Sequence, residues 1–358
     1  GRQNVSMMVD LNAVLVAEID AAGPMPFERF VDRALYDPDR GFYATHGQAG
    51  GRRGDFVTSV EIGPLFAAVI ADWLDAAWRD EGEPSDFRVA EVGAGVGTLF
   101  RGINRAKPAC LESLTYTLVE RSAAMRVAHQ SLPTERWRSS GELPKASQHV
   151  VVANELLDNL AFGIAERVEG GWAPVHIGLG LSELSLQVQQ PDPALDHLTG
   201  LAPDAALSDR VPVASEARAW VADACVLARR VLVFDYAATT AELAERGQAS
   251  WLRTYAAHTR GHDPLDQIGQ RDITHDVPTD QLPTPYLQQT QADWLAANGM
   301  GDRVEAARQV WTERAHIGDL QAIAARSAIG EAEALTDRDG LGAFLVLEWH
   351  AEPDATRA

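Results

Sequence analysis

An α/β fold built on a doubly wound, mainly parallel sheet is what this 358-residue sequence predicts. Three observations predict it. Short apolar runs recur between helix-like segments, as parallel strands covered on both faces require: "FRVAEVG", "LTYTLVE", "HVVVANELLD" and "RRVLVFDYA". A glycine-rich turn, Gly93-Ala94-Gly95-Val96-Gly97, follows the first of them. The third run passes directly into a polar turn, at the carboxyl end of a strand, where an open sheet of this kind holds its ligand.

Taken in order, the chain starts with a helix over about 11–21. Pro26 suits a helix start, and Phe27, Phe30, Val31, Ala34 and Leu35 fall on one face at helical spacing before "DPDRG" ends the segment. A glycine-rich loop, "THGQAGGRRGDFVTS", leads to the amphipathic helix "PLFAAVIADWLDAAW". The glycine turn continues through Thr98 and Leu99 as an apolar helix. "SAAMRVAHQSL" reads as a helix with Ser122 as its N-cap. Between 160 and 213, "IAERVEG" and "WAPVHIG" form a hairpin around Gly170-Gly171, "LSLQVQQ" adds a strand, and "PDPALDHLTGLAP" is loop. The stretch 237–286 is irregular and longer than a connector needs to be, and such loops are usually functional or disordered. Helices over about 288–298 and 310–327 precede a last strand, "GAFLVLEWH". The expected organisation is N-terminal helices with a lid-like loop over 1–80, then one doubly wound domain over 81–358. Insertions at about 160–213 and 237–286 interrupt that domain.

Composition narrows the function. Lys and Arg total 31 against 51 Asp and Glu, a formal charge of −20, which argues against a nucleic-acid partner. It suits a cationic substrate, such as an arginine-bearing protein segment, and equally a merely well-solvated surface. No apolar run is long enough to span a membrane, and no signal peptide is expected. Cys110 and Cys225 form no CxxC pair, and no HExxH is present, so no metal site is expected and a reducing cytoplasm is.

A dinucleotide turn of the form GxGxxG would carry glycine at position 98, where Thr98 stands. GxGxG after an acidic strand end, here Glu91, is the pattern of S-adenosylmethionine-dependent methyltransferases. That cofactor has no pyrophosphate to place on a helix N-terminus, yet needs the close backbone approach that glycine permits. Glu120 ends the next strand, where a carboxylate can accept both ribose hydroxyls. Gly93, Gly95, Gly97, Thr98, Leu99, Glu91 and Glu120 are therefore the expected cofactor residues. The alternatives are a plain tight turn and a structurally paired Glu91.

Several unusual stretches follow in one order: "FERFVDRALYDPDRGFY", "GRRGDFVTSVEIGPLF", "VAEVGAGVGTL", "TLVERSAAMRVAHQ", "NELLDNLAF", "RTYAAHTRGHDPLDQIGQRDITHDV" and "TQADWLAANGM". Together they resemble the MidA-like methyltransferases, relatives of a mitochondrial complex I assembly factor that methylates a protein arginine. The resemblance runs from about 25 to 347, with a divergent patch at 164–230. It implies a class I (Rossmann-like) methyltransferase fold, S-adenosyl-L-methionine as cofactor, and a protein or small-molecule methyl acceptor. The chain departs from the family at Ala94, where proline is usual, at Ser59-Val60-Glu61 for SPE, and at Glu155 to Ala161 for EFFDALP. These departures bear on substrate choice more than on the cofactor.

"NELLD" should line the crevice beyond its strand. For a guanidinium nucleophile, carboxylates can hold the planar fork bidentately. Glu155 is the first candidate and Asp158 the second, with Asn154 orienting the cofactor's methionine part or the substrate. Capping of a following helix is the alternative for Asn154 and Asp158. The resemblance makes the loop with Gly54, Asp55, Thr58, Ser59 and Glu61 a lid over the cofactor, Glu61 gripping the methionine amino group or else placing charge at the next helix start. His258, His262, Asp272 and His275 crowd one loop. His258 or His275 is the candidate base, against a reading as structural histidines.

Overall fold

The computed structural model describes residues 10–45, 58–132, 137–181, 183–256 and 259–351. These segments cluster into two compact units, each assembled from three separate stretches of chain. One unit takes 50–156, 221–236 and 284–358; the other takes 1–49, 157–220 and 237–283. The division expected at 80/81 coincides with neither. The stretches read as insertions instead join the N-terminal helices in a unit with cores of its own.

The unit that carries the glycine turn is built on a seven-stranded sheet. Its strands are β1 (Phe87–Val92), β2 (Leu114–Val119), β3 (Trp137–Ser140), β4 (Gln148–Asn154), β5 (Ala228–Asp235), β6 (Leu287–Thr290) and β7 (Leu345–His350). They run in the order β6-β7-β5-β4-β1-β2-β3. β1 to β5 are mutually parallel, and β7 and β6 close one edge antiparallel. Sequential order reverses between β1 and β4, so the ends of these two strands form the switch point at which such sheets bind ligands.

Helices α1 (Pro64–Asp80) and α2 (Thr98–Ala106) belong to this core. Phe66, Phe87, Phe100, Tyr116, Phe234 and Trp294 fill it, Phe66 lying edge-on to Phe234 with ring centroids 5.1 Å apart. α1 and α2 approach so closely that a Cβ on Gly102 would lie 2.3 Å from that of Ala67. The start of α1 is held from a distance in sequence. The Glu331 carboxylate accepts the Leu65 N–H at 2.9 Å and the Ser327 hydroxyl at 3.0 Å while almost fully buried. Glu331→Ala would leave that N–H without its partner and a void beside Gly63. It is expected to cost about 1–3 kcal/mol in urea unfolding; a change under about 0.5 kcal/mol would show that the bond does not anchor α1.

Two C-terminal expectations need correction. The segment read as a helix over 288–298 begins as β6, and its helix, Gln291–Ala297, starts only after Thr290, whose side chain accepts the Asp293 N–H. The single helix over 310–327 is two, α3 (Met300–Arg314) and α4 (Leu320–Thr336), broken at Gly318 (φ 67°) and restarted by the Asp319 cap. The sequence carries no sign of β3, because "WRSS" shows neither alternation nor an apolar run.

In the other unit, helices Leu11–Ala22 and Phe27–Tyr36 contribute buried apolar faces, the second burying all five residues its spacing marked. The hairpin Gly163–Val168 and Gly171–Leu179 is present, turning through Glu169-Gly170, and strand Leu184–Val188 extends it. The stretch read as loop near 191–203 folds into short helical turns that bury Leu195 and Leu198. The irregular region has regular structure: a helix, Thr240–Arg246, with a capping box from Thr239 and Glu242, and the antiparallel strands Leu252–Ala256, Thr259–Gly261 and Asp272–His275.

Candidate active site

β1 ends at Val92, and the next residues double back over β2. The N–H groups of Gly93 and Ala94 both donate to the Val119 carbonyl, at 3.0 and 3.1 Å, and the Gly97 N–H donates to the Ala94 carbonyl at 2.8 Å. This tight path puts φ at 73°, 53° and 82° for Gly93, Gly95 and Gly97, a region that only glycine enters without strain. The three differ in surroundings. A Cβ on Gly93 would meet Leu156 at 3.1 Å and one on Gly97 would meet Leu118 at 3.0 Å, whereas one on Gly95 would meet nothing within 4 Å. Gly95 thus exposes bare backbone to open space.

Glu120, one residue past β2, turns its carboxylate to the same turn. It accepts the Gly95 N–H at 2.9 Å and the Ser122 N–H at 2.7 Å, and burial raises its pKa. From β4, Asn154 donates to the Glu155 carboxylate at 3.1 Å, while its own Oδ1 is buried with no partner among the described residues. Glu155 leaves the strand with a left-handed backbone (φ 50°), pinned by its N–H to the Phe234 carbonyl at 2.8 Å. Such a backbone in a non-glycine residue persists only where its surroundings over-determine it. Burial pushes the Glu155 carboxyl up to about 7, opposed by hydrogen bonds from Asn154 and the Ser59 N–H and assisted by repulsion from Glu61. Ser59 is anchored through its hydroxyl to Gln291 Oε1 at 2.9 Å. Thr58 Oγ1 is a second buried atom without a partner among the described residues. Glu61 and Thr98 line a cavity of about 360 Å³, together with Ile62, Pro64 and Arg101.

The structure therefore brings Thr58, Glu61, Gly93, Gly95, Gly97, Thr98, Glu120, Asn154 and Glu155 into one unit around the switch point. Two expected cofactor residues need correction. Glu91 faces the core, where it is buried and accepts the Tyr116 hydroxyl at 2.9 Å and the Phe100 N–H, with burial pushing its pKa up to about 8. It is the structurally paired carboxylate, seating α2. The Leu99 side chain is likewise buried in the core, which leaves only its backbone for a ligand. Gly54, Asp55 and His258 lie outside the described residues.

Asp158, Asp272 and His275 belong to the other unit. No α-helix follows Asn154 and Asp158 to be capped; Asp158 is buried in a helical turn, Leu157–Asn159. Its carbonyl accepts the His275 Nδ1–H at 3.0 Å. The His275 ring stacks on Phe162 at 4.0 Å, and burial lowers its pKa to about 3, too weak a base for proton abstraction near neutrality. His275 is a structural histidine. Asp272 accepts hydrogen bonds from Tyr43 Oη at 3.3 Å and Asn159 Nδ2 at 3.1 Å, and burial raises it to about 6. His262 is exposed.

This donor set suits S-adenosylmethionine. Open glycine backbone can lie against the cofactor, and Glu120 can take ribose hydroxyls. The buried Asn154 Oδ1 awaits a donor of the kind an ammonium group offers. Comparison with known proteins agrees. Residues 69–297 match the family described as "Putative S-adenosyl-L-methionine-dependent methyltransferase". The "Protein arginine methyltransferase NDUFAF7 homolog, mitochondrial" of Drosophila melanogaster is 25% identical over 304 residues, covering 74% of this chain and 67% of that protein. Its Homo sapiens counterpart is 23% identical over 295 residues, covering 74% and 66%. This chain thus spans about two thirds of these relatives' length. Two crystal structures from Burkholderia thailandensis superpose over 95% of this chain and 91% of theirs. One, bound to S-adenosyl-homocysteine, is 27% identical with a TM-score of 0.82; the other, a native structure, is 25% identical with a TM-score of 0.80.

Proposed function

Since the chain belongs to this family of S-adenosyl-L-methionine-dependent methyltransferases, we propose that the methyl group it transfers goes to a nitrogen of a protein arginine. The observation that carries the acceptor class is Glu155, a half-buried carboxylate held at the switch point by hydrogen bonds from Asn154 and the Ser59 N–H, together with the protein-arginine activity named for relatives. Bound S-adenosylmethionine supplies an electrophilic methyl group on a sulfonium, so little activation is asked of the protein. Its residues position the acceptor and exclude water. Ionised Glu155 can hold the guanidinium through two N–H groups, leaving the third nitrogen aimed at the methyl carbon. Transfer would form the N–C bond as the sulfonium S–C bond breaks, leaving S-adenosylhomocysteine and releasing one guanidinium proton to solvent.

The cavity of about 360 Å³ beside Glu61 and Thr98 favours a second reading, transfer to the oxygen or nitrogen of a small molecule. Incubation with tritiated S-adenosylmethionine and host lysate separates the two. Label in protein, recovered as methylarginine after hydrolysis, is the expected result, and label only in small molecules would overturn it. The charge of −20 places nucleic acid outside the proposed acceptors. Two free cysteines fit a reducing cytoplasm; cell fractionation finding the protein in an oxidising compartment would refute that placement.

The turn also excludes a cofactor. S-adenosylhomocysteine at about 100 times its Kd is expected to stabilise the fold by about 2.7 kcal/mol in a thermal-shift assay, and NAD to give no shift, because Thr98 stands where the dinucleotide fingerprint carries its third glycine, the one that lets helix and strand pack closely. A larger shift with NAD would contradict the geometry of this turn.

A further inference from the structure

Two of the three turn glycines rest on a buried side chain to which no role has been assigned. His129 is fully buried; its Nε2 lies 2.9 Å from the Gly95 carbonyl oxygen and its Nδ1 lies 2.8 Å from Ser139 Oγ. A carbonyl can only accept, so Nε2 carries the proton. Burial keeps the imidazole below its usual pKa, with the Arg101 and Arg126 charges acting in the same direction, so the ring is neutral near pH 7. Nδ1 then presents a lone pair, and the Ser139 hydroxyl donates to it. Hydrogen bonds therefore run from Ser139 through His129 to Gly95. On its other side, the Gly95 N–H is taken by Glu120. The residue whose bare backbone faces open space is thus clamped at both of its polar atoms.

The same ring supports Gly97, where a Cβ would lie 3.6 Å from His129 Cδ2. Ser139 arrives from the edge strand β3, whose pairing places it opposite Leu118. Burial this complete requires partners for both ring nitrogens, and the partner on the Nε2 side is the carbonyl of the open turn residue, Gly95.

We propose that His129 and Ser139 are positioning residues for the cofactor: they set the orientation of the Gly95 peptide, and so the surface that S-adenosylmethionine meets, without touching it. This holds whichever acceptor is used. The test takes the full chain with His129→Ala, His129→Gln and Ser139→Ala. S-adenosylhomocysteine affinity is measured by calorimetry beside a melting curve, and the ring nitrogens of the wild type are observed by NMR. His129→Ala is expected to weaken binding about tenfold, the scale of one lost buried hydrogen bond. His129→Gln, whose amide can still donate to the Gly95 carbonyl, should recover affinity to within about threefold of wild type, and Ser139→Ala should fall between them. Glutamine restores both bulk and a donor, so a fourth variant, His129→Leu, which fills the volume without a donor, should bind as weakly as His129→Ala; affinity close to wild type in His129→Leu would show that bulk alone suffices and overturn the proposal. NMR should find the proton on Nε2. Unchanged affinity in His129→Ala despite a lower melting temperature, equal weakening in Ala and Gln, or a proton on Nδ1 would each overturn the proposal.

Discussion

Gly95→Val is expected to abolish S-adenosylhomocysteine binding while leaving a folded protein. Nothing lies within 4 Å of the position its Cβ would take, so the unbound chain meets no clash. The strain is that of a β-branched residue at φ 53°, about 1–2 kcal/mol, against a total stability of about 5–15 kcal/mol. The valine methyls would instead fill the space through which the cofactor approaches bare backbone. Calorimetry should detect no binding where wild type binds, and a melting curve should confirm the fold. Gly95→Ala, with less bulk, should retain weak binding. Equal affinity in wild type and Gly95→Val would remove the cofactor from this turn.

Glu155→Gln is expected to lower kcat by about 10²-fold or more, the scale of losing a positioned charged group. Cofactor affinity should change little, because Glu120 and the glycines are untouched. The acidity of Glu155 gives the effect a pH signature. Its pKa is about 7, raised from 4.5 mainly by burial, so the carboxylate that holds a guanidinium forms only as pH rises through 7. Wild-type kcat/KM should rise across that range and level off above it, while the variant stays flat. Stability has the opposite slope. Between pH 4.5 and about 7 the unfolded chain has released this proton while the folded chain retains it, so folding weakens as pH rises. Glutamine removes that loss, and the variant should melt no lower than wild type at pH 8. Single-turnover transfer beside melting curves at pH 6 and pH 8 tests both halves. Unchanged turnover, or a variant that is inactive only because it melts, would discard this role.

The parallel strands were legible because their burial on both faces forces continuous apolar runs, and the turn because its φ angles admit so few residues. Glu120 and Glu155 followed from their places after β2 and β4. Glu91 shows a physical limit: in a strand covered on both faces, side-chain direction is not written in the local pattern, and the pairing with Tyr116 emerges only in the fold. His275 is similar, because a histidine in a polar-looking stretch gives no sign that Phe162 would bury it. His129 stood within a stretch that marks the family, yet its role rests on Ser139 in a strand with no readable pattern. Glu331, far along the chain from Leu65, shows the same limit: local sequence does not reveal long-range partners.

The interleaving of the two units also bears on how the protein is made. The chain passes from one unit to the other five times. The Phe27 ring packs on Phe162 at 5.5 Å, and strand Met25–Pro26 pairs with His176 and Ile177. A ribosome adding about 5–20 residues per second needs roughly 7–27 s to pass from Phe27 to Phe162. Throughout that interval the apolar face of Phe27, Phe30, Val31 and Leu35 has been synthesised but lacks its native cover. Nascent chains stalled before residue 157 should therefore bind trigger-type holding chaperones through this helix, and truncation there should yield an aggregating fragment rather than a smaller soluble domain.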